Sequence, residues 1–302
     1  MVFVTILLGL MPSFLMVGLG GLVRGRLSVN AWQGLDRLNF EILFPALIFV
    51  AASGRPIAAE DLLRIGPAVW ALLLVGLGCG YLARRFGPVR FVDFAGAWQT
   101  AWRFNTAMAF VAVMTLSQPP LAALAVAVGL AIPVANVFAV TALSRGSGSL
   151  RRTLLRVAGN PFLIASVSGV AVGLSGVAVP AVILAPLQML SEAAIPVALI
   201  SVGATMNWGA LARLDRFSAI ISATKLVIMP AAALTGCLLL GPDRAIAQTL
   251  VLFAAMPTAS AAHVLAAGFG ADRELSATLV AQSTLLAALT LPVWITVIEL
   301  LF

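Results

Sequence analysis

Long apolar segments alternate with short polar ones along the whole chain. About 20 residues of helix are needed to cross a bilayer, and by that measure the pattern predicts ten membrane-spanning helices. Their approximate bounds are 2–23, 35–53, 62–83, 92–116, 119–143, 160–178, 182–208, 215–240, 245–267 and 273–300. The sequence therefore predicts an all-α integral membrane protein.

Composition agrees with this class and excludes several others. The chain has 302 residues, of which 62% are hydrophobic and 10% charged, with a mean hydropathy of +1.09. Too few polar side chains are present to cover a soluble domain, so membrane lipid is the expected surroundings. One histidine and two cysteines leave no metal-ligand spacing, and we expect no metal, no cofactor and no enzymatic reaction.

The second half of the chain repeats the first. Each half holds five predicted spans, and an odd number means that the second copy enters the bilayer from the opposite side, as in the inverted repeats of secondary transporters. The repeats are expected at 1–143 and 160–302, joined by a cytoplasmic linker at 144–159. The matching segments are Glu41–Ile48 with Glu192–Ile200 and Asn105–Ala107 with Pro257–Ala259.

The distribution of basic residues predicts the orientation. Thirteen arginines fall on one side of the predicted spans and three on the other, so the first side is cytoplasmic and both termini lie outside, in a multi-pass inner (plasma) membrane protein. The net charge of +7 is spread over short loops and forms no basic strip, which excludes nucleic acid as a partner.

Four ionisable residues fall inside predicted spans, and each would cost about 2.5–3.5 kcal/mol at a helix centre if it faced lipid. We therefore expect them to be turned away from lipid. Each of the two glutamates precedes a proline by four residues, so its role is either to hydrate the carbonyl that the proline frees at a kink or to couple transport to protons. The four are Glu41 (before Pro45), Arg103, Glu192 (before Pro196) and Lys225.

Asn105 and Pro257 are predicted to interrupt spans four and nine at the same depth. If the two spans cross there, half-helix N-termini and unwound peptides would form an anion site. The alternatives are a simple kink at Pro257 and an interhelical hydrogen bond from Asn105. The predicted site consists of Arg103, Asn105, Thr106, Pro257, Thr258 and Ser260, completed by Gln282 and Ser283.

Two of these assignments have alternatives. Arg103 is either a counter-charge for the substrate or the structural partner of Asp93 or Glu192. The polar side chains of span ten, Gln282 and Ser283, either complete the pocket or bond their own helix.

Several segments, in order along nearly the whole chain, resemble the auxin efflux carrier family in its compact bacterial form. The resemblance implies spans one, two, six and seven as a scaffold that dimerises, spans three to five and eight to ten as a transport domain, an elevator motion, and small carboxylates such as malonate as substrates. The crossing of spans four and nine that the family implies maps onto Asn105 and Pro257. The segments are Phe44–Phe49, Arg103–Ala107, Asn160–Ile164, Ile195–Ala204 and Ser283–Pro292.

The chain departs from that family in two respects. It lacks the long cytoplasmic loop of the plant carriers, so auxin is not the expected ligand, and span three lacks the family's acidic and lysine pair. Lys225 on span eight is a candidate substitute.

Two other hypotheses use the same residues. A sodium-driven carrier of the same fold would bind the ion at unwound carbonyls. An intramembrane serine protease would use Ser175 and His263, but the predicted depths place these two residues on opposite sides of the midplane. His263 is otherwise expected to be a hydrogen-bonded interior residue or a proton relay.

Overall fold

The protein is described here by a computed structural model that covers residues 2–54, 59–144, 158–159, 161–259 and 262–302. Within these ranges the regular structure is helical, with no strand. The α-helices are α1 (Val2–Val23), α2 (Val29–Leu38), α3 (Phe44–Ser53), α4 (Ala59–Tyr81), α5 (Phe91–Trp98), α6 (Thr106–Val113), α7 (Leu121–Leu143), α8 (Pro161–Ser175), α9 (Ala181–Thr205), α10 (Arg216–Ala223), α11 (Met229–Leu240), α12 (Arg244–Ala255), α13 (Ala262–Gly268) and α14 (Arg273–Leu301).

Five helical stretches in the described residues are long and apolar enough to cross a membrane. Two other predicted spans, 92–116 and 245–267, are each divided into two shorter helices, whereas 35–53 runs from α2 through a π turn into α3. The chain is therefore a multi-pass membrane protein, and the count of ten spans stays a prediction. The five stretches are Leu62–Phe86, Leu121–Leu143, Ala181–Thr205, Arg216–Leu240 and Arg273–Leu301.

The helices pack as two groups. In one group α1 lies on α9, and α3 lies on α8 and α9. In the other, α4 packs on α7, α11 on α12, and α13 on α14. The groups touch where α7 meets α3 and α8, and where α14 meets α1. This arrangement leaves α5, α6, α12 and α13 in the second group.

Glycines let α1 and α9 approach until their backbones touch. A Cβ on Gly20 would lie 2.9 Å from the backbone nitrogen of Ala204, and one on Gly203 would lie 2.7 Å from the carbonyl carbon of Val17. Close backbone approach through small residues is how helices associate in lipid, where the hydrophobic effect does not drive them together.

Two prolines follow π-helical turns. The turn Asn39–Leu43 precedes Pro45, and the turn Thr224–Ile228 precedes Pro230. A π turn accommodates the carbonyl that a proline cannot use. In contrast, α9 runs without interruption through Pro196. The repeated Glu–Pro segments therefore have different local structures.

Candidate functional site

Two helical stretches of the second group are interrupted near their middles. After α5, a 3-10 turn at Gln99–Ala101 leads into non-helical residues 102–105 before α6 begins. After α12 ends at Ala255, residues 256–259 are not helical. Both interruptions are almost completely buried.

The two interruptions are hydrogen-bonded to each other through Asn105 and Pro257. The backbone N–H of Asn105 donates to the carbonyl of Pro257 over 2.8 Å. Asn105 also caps α6, because its Oδ1 accepts from the N–H of Met108 at 3.2 Å. Asparagine is a preferred N-cap, so Asn105 favours the start of α6. A proline disfavours helical geometry in the residue before it, so Pro257 favours the end of α12.

Polar atoms at this junction are buried and lack protein partners. Asn105 is 4% exposed and Thr258 is fully buried. In the part of the chain that the structure describes, neither Nδ2 of Asn105 nor Oγ1 of Thr258 has a hydrogen-bond partner. Thr106 is the first residue of α6, where backbone N–H groups have no partner within the helix and carry partial positive charge. The junction therefore offers several donors to an acceptor-rich ligand.

Of the two polar residues expected from span ten, only Ser283 reaches the junction. Its Oγ accepts from the N–H of Thr258 at 3.3 Å and donates to the carbonyl of Val280 at 3.0 Å. Gln282 points elsewhere, with Nε2 donating to the carbonyl of Ala210 at 3.0 Å in the turn Trp208–Arg213. Ser260 lies outside the described residues.

Arg103 has a partner that the sequence did not indicate. Its guanidinium donates to Oε1 of Gln99 over 3.1 Å. The amide of Gln99 in turn donates to the carbonyls of Gly96 and Ala262, each at 3.1 Å. Gln99 thus links Arg103 to the first residue of α13, on the far side of the second interruption. The sequence feature that could have indicated this role is a glutamine inside a predicted apolar span. In the structure Gln99 is fully buried.

The carboxylates that were candidates for pairing with Arg103 are engaged or placed elsewhere. Asp93 lies 3.6 Å from Arg90 and accepts from the N–H of Asp272 at 2.9 Å. Glu192 is exposed on α9. Among the ion pairs of the described residues, none involves Arg103, so its positive charge is not neutralised by a neighbouring carboxylate.

The two glutamates of the repeated segments lie on the surface of the single chain. The Glu41 side chain is 50% exposed and pairs with Arg37 at 2.8 Å, one turn away on the same helical stretch. The Glu192 side chain is also exposed. Neither is part of the junction, because each belongs to the first helix group and the junction lies in the second.

Lys225 belongs to the π turn Thr224–Ile228 between α10 and α11. Its side chain is buried in the second group, against the C-terminal end of α12. It is 1% exposed, and its ammonium donates to the carbonyl of Ala254 at 2.9 Å. The thioether sulfur of Met229 is 3.8 Å from the same nitrogen.

The residues of the protease hypothesis have other partners. Oγ of Ser175 donates to the carbonyl of Val172 at 2.8 Å, so its proton is held by its own helix. His263 interacts electrostatically with Asp36, whose carboxylate accepts from the hydroxyl of Ser201. The hydrogen bond between Ser201 and Asp36 joins α9 to α2.

Two comparisons bear on the identity of the chain. Residues 147–295 match the family described as "Membrane transport protein". A protein of Rhizobium meliloti (strain 1021) named "Putative malonate transporter" is 26% identical over an alignment of 307 positions, which covers 93% of this chain and 92% of that protein. The resemblance predicted from the sequence motifs is thereby confirmed.

Proposed function

We propose that the chain is a membrane transporter of the auxin efflux carrier family, which it resembles, and that it carries small carboxylates at the junction of Asn105 and Pro257. The observation that carries this proposal is the pair of buried polar atoms without protein partners, Nδ2 of Asn105 and Oγ1 of Thr258. An unused buried donor is costly, and a bound acceptor would remove that cost. The malonate named for the relative belongs to this class of ligand.

The charges around the junction favour an anion. The N-terminus of α6 directs partial positive charge at it. Arg103 supplies a guanidinium two residues before Asn105, held by Gln99 and not by a carboxylate. A guanidinium binds a carboxylate with two parallel hydrogen bonds. No covalent step is needed, so the protein acts by binding and releasing its ligand.

The proposed architecture is a pair of inverted five-helix repeats, with interrupted spans four and nine crossing at the site. The first helix group would be the scaffold and the second the transport domain, which moves like an elevator and exposes the site to each side in turn. This division is supported by the packing, since both interruptions lie in the second group.

We also propose a homodimer that forms through the scaffold helices. The surface of α9 is apolar along much of its length, with Val182 81% and Met189 72% exposed in the single chain. The exposed carboxylate of Glu192 lies on the same helix. A second copy would cover this helix and remove the carboxylate from lipid.

The test is uptake of radiolabelled malonate and other short carboxylates by proteoliposomes. Asn105→Asp keeps the oxygen that caps α6 and replaces the free amide donor by a carboxylate oxygen. We expect the variant to lose at least about tenfold in uptake, because the new charge repels the anion, and to melt at a lower temperature, because a carboxylate at this buried position is desolvated. Monodisperse elution in detergent checks that the variant is folded.

Asn207→Asp is the matched control. Asn207 is exposed and its side-chain oxygen likewise accepts from a backbone N–H, that of Gly209 at 3.1 Å. We expect unchanged uptake from this variant. Wild-type rates from Asn105→Asp would rule out the proposed site.

A further inference from the structure

We infer that the ammonium of Lys225 is a built-in cation at the C-terminal end of α12, so that transport needs no sodium ion. This inference rests on the proposed function and concerns its coupling. It starts from the position of the only lysine in the chain, which is buried among apolar helices.

The surroundings of Lys225 do not explain its charge as a structural ion pair. In the described residues its side chain contacts a carbonyl oxygen and a thioether, and it takes part in none of the ion pairs. A buried ammonium without a carboxylate pays a large desolvation cost. Such a residue inside a membrane protein is a candidate for function.

The carbonyl that Lys225 binds belongs to a helix end. Ala254 is the penultimate residue of α12, directly before the interruption that contains Pro257. The last four carbonyls of a helix have no partner within it and carry partial negative charge. In carriers with discontinuous helices, such ends coordinate the coupling ion. Here an ammonium already occupies that position.

Lys225 is shielded from solvent, and its neighbour Met229 is closely packed. A Cβ on Gly76 of α4 would lie 2.8 Å from the sulfur of Met229 and 3.0 Å from the carbonyl of Ala101. On the other side, Nε1 of Trp294 donates to the carbonyl of Leu226 at 2.8 Å and holds the π turn of Lys225. The thioether beside the ammonium is a soft ligand, whereas hard cations take oxygen. These contacts fit an ammonium better than a sodium ion.

The first experiment uses the wild type. Malonate uptake by proteoliposomes is measured with sodium and with choline at equal ionic strength, and the melting temperature in detergent is measured in the same two salts. We expect both quantities to be the same in the two salts. A roughly tenfold faster uptake in sodium, or a sodium-specific rise in melting temperature, would overturn the inference.

The second experiment separates charge from hydrogen bonding. Lys225→Gln keeps an N–H donor and removes the charge, and Lys225→Met removes both. We expect each to lose at least about tenfold in uptake. Leu250→Met, which conserves volume at a buried apolar side chain of α12, serves as the control and should transport normally. Wild-type uptake by Lys225→Gln would show that Lys225 is only a structural donor and overturn the inference.

A third variant gives a readout that does not depend on transport. Lys225→Ser opens space at the Ala254 carbonyl and adds a hydroxyl oxygen. We expect sodium, and not choline, to raise the melting temperature of this variant. The absence of a sodium-specific rise would count against a cation position at this helix end. If the wild type took up no carboxylate at all, the proposed function would fail, while these melting temperatures would still test the role of Lys225.

Discussion

The N–H of Asn105 donates to the carbonyl of Pro257 over 2.8 Å, and this bond connects two interrupted helices that are 152 positions apart (257 − 105) in the sequence. Both partners are backbone atoms, so the bond survives most side-chain changes at either position. The bond holds the two interruptions side by side, as the proposed elevator motion requires. A ligand held between them would therefore travel with the second helix group as one unit.

Thr258→Val should separate ligand binding from stability. The hydroxyl of Thr258 is buried without a protein partner, so replacing it with a methyl group of similar shape removes an unsatisfied polar atom. We expect a melting temperature equal to or slightly above that of the wild type. We expect uptake of malonate to fall by about tenfold, since a ligand hydrogen bond to the hydroxyl is worth about 1–1.5 kcal/mol.

Thr249→Val is the control for this experiment. Thr249 is fully buried on α12, and its hydroxyl donates to the carbonyl of Ala245 at 2.7 Å. Its replacement removes a hydroxyl that already has a partner and should leave uptake unchanged. Equal uptake by the two valine variants would contradict a ligand role for Thr258.

Arg103 should affect ligand affinity more than turnover. Arg103→Met removes the charge, and we expect KM for malonate to rise at least about tenfold, because a charge-assisted hydrogen bond contributes about 1.5–3 kcal/mol. Arg103→Lys keeps the charge but not the geometry for two parallel hydrogen bonds, so its KM should lie between the KM of the wild type and that of Arg103→Met. Initial uptake rates over a range of malonate concentrations give these values.

Arg90→Met serves as the comparison for Arg103. The side chain of Arg90 is 70% exposed and contacts Asp93 at 3.6 Å. An exposed ion pair of this kind contributes little, so we expect KM to be unchanged. A wild-type KM for Arg103→Met would instead assign Arg103 to holding Gln99 in place.

The orientation can be tested with reporter fusions. Thirteen arginines on one side of the predicted spans against three on the other predict that the linker 144–159 is in the cytoplasm and Phe302 outside. We therefore expect alkaline phosphatase fused after Phe302 to be active and a fluorescent protein fused there to be dark. Insertions within 144–159 should give the opposite pattern, and the same pattern at both positions would refute the proposed topology.

Local chemistry explains which features of the junction could be predicted from the sequence. Asn105 and Pro257 each carry a local reason for a helix boundary, since an asparagine N-cap favours a helix start and a proline disfavours helical geometry in the residue before it. Both act on the backbone within a few residues, so a sequence reveals them. The same holds for Ser283, which reaches Thr258 from a helix that was predicted to lie beside the site.

Features that depend on the direction of side chains could not be predicted. Gln282 and Ser283 are neighbours on α14, yet Gln282 bonds to Ala210 and Ser283 to Thr258, because residues next to each other on a helix face directions about 100° apart. The link from Gln99 to Ala262 spans 163 positions and depends on how α5 and α13 pack. Sequence spacing carries no information on such contacts.

The charged residues show the same limit. The free-energy cost of a charge in lipid predicts that the charge has a partner, but it does not predict which partner. Lys225 binds a backbone carbonyl, where a carboxylate is the usual partner. Glu41 was expected to avoid lipid, and its partner on the surface of the single chain is Arg37. A single sequence does not show which side of a helix a second copy of the chain would cover.

The contact between α1 and α9 predicts that alanine substitutions at two nearby glycines change the melting temperature in opposite directions. An alanine in a helix is normally more stable than a glycine by about 1 kcal/mol, and Gly18 has nothing within 4 Å of where its Cβ would be. Gly18→Ala should therefore raise the melting temperature slightly. At Gly20 the Cβ would lie 2.9 Å from the nitrogen of Ala204, and a backbone atom cannot rotate away as a side chain can. Gly20→Ala should lower the melting temperature by several degrees, since overpacking costs about 1–3 kcal/mol. Thermal unfolding of the two variants in the same detergent measures the difference, and a Gly20→Ala protein as stable as Gly18→Ala would show that α1 and α9 do not pack through their backbones.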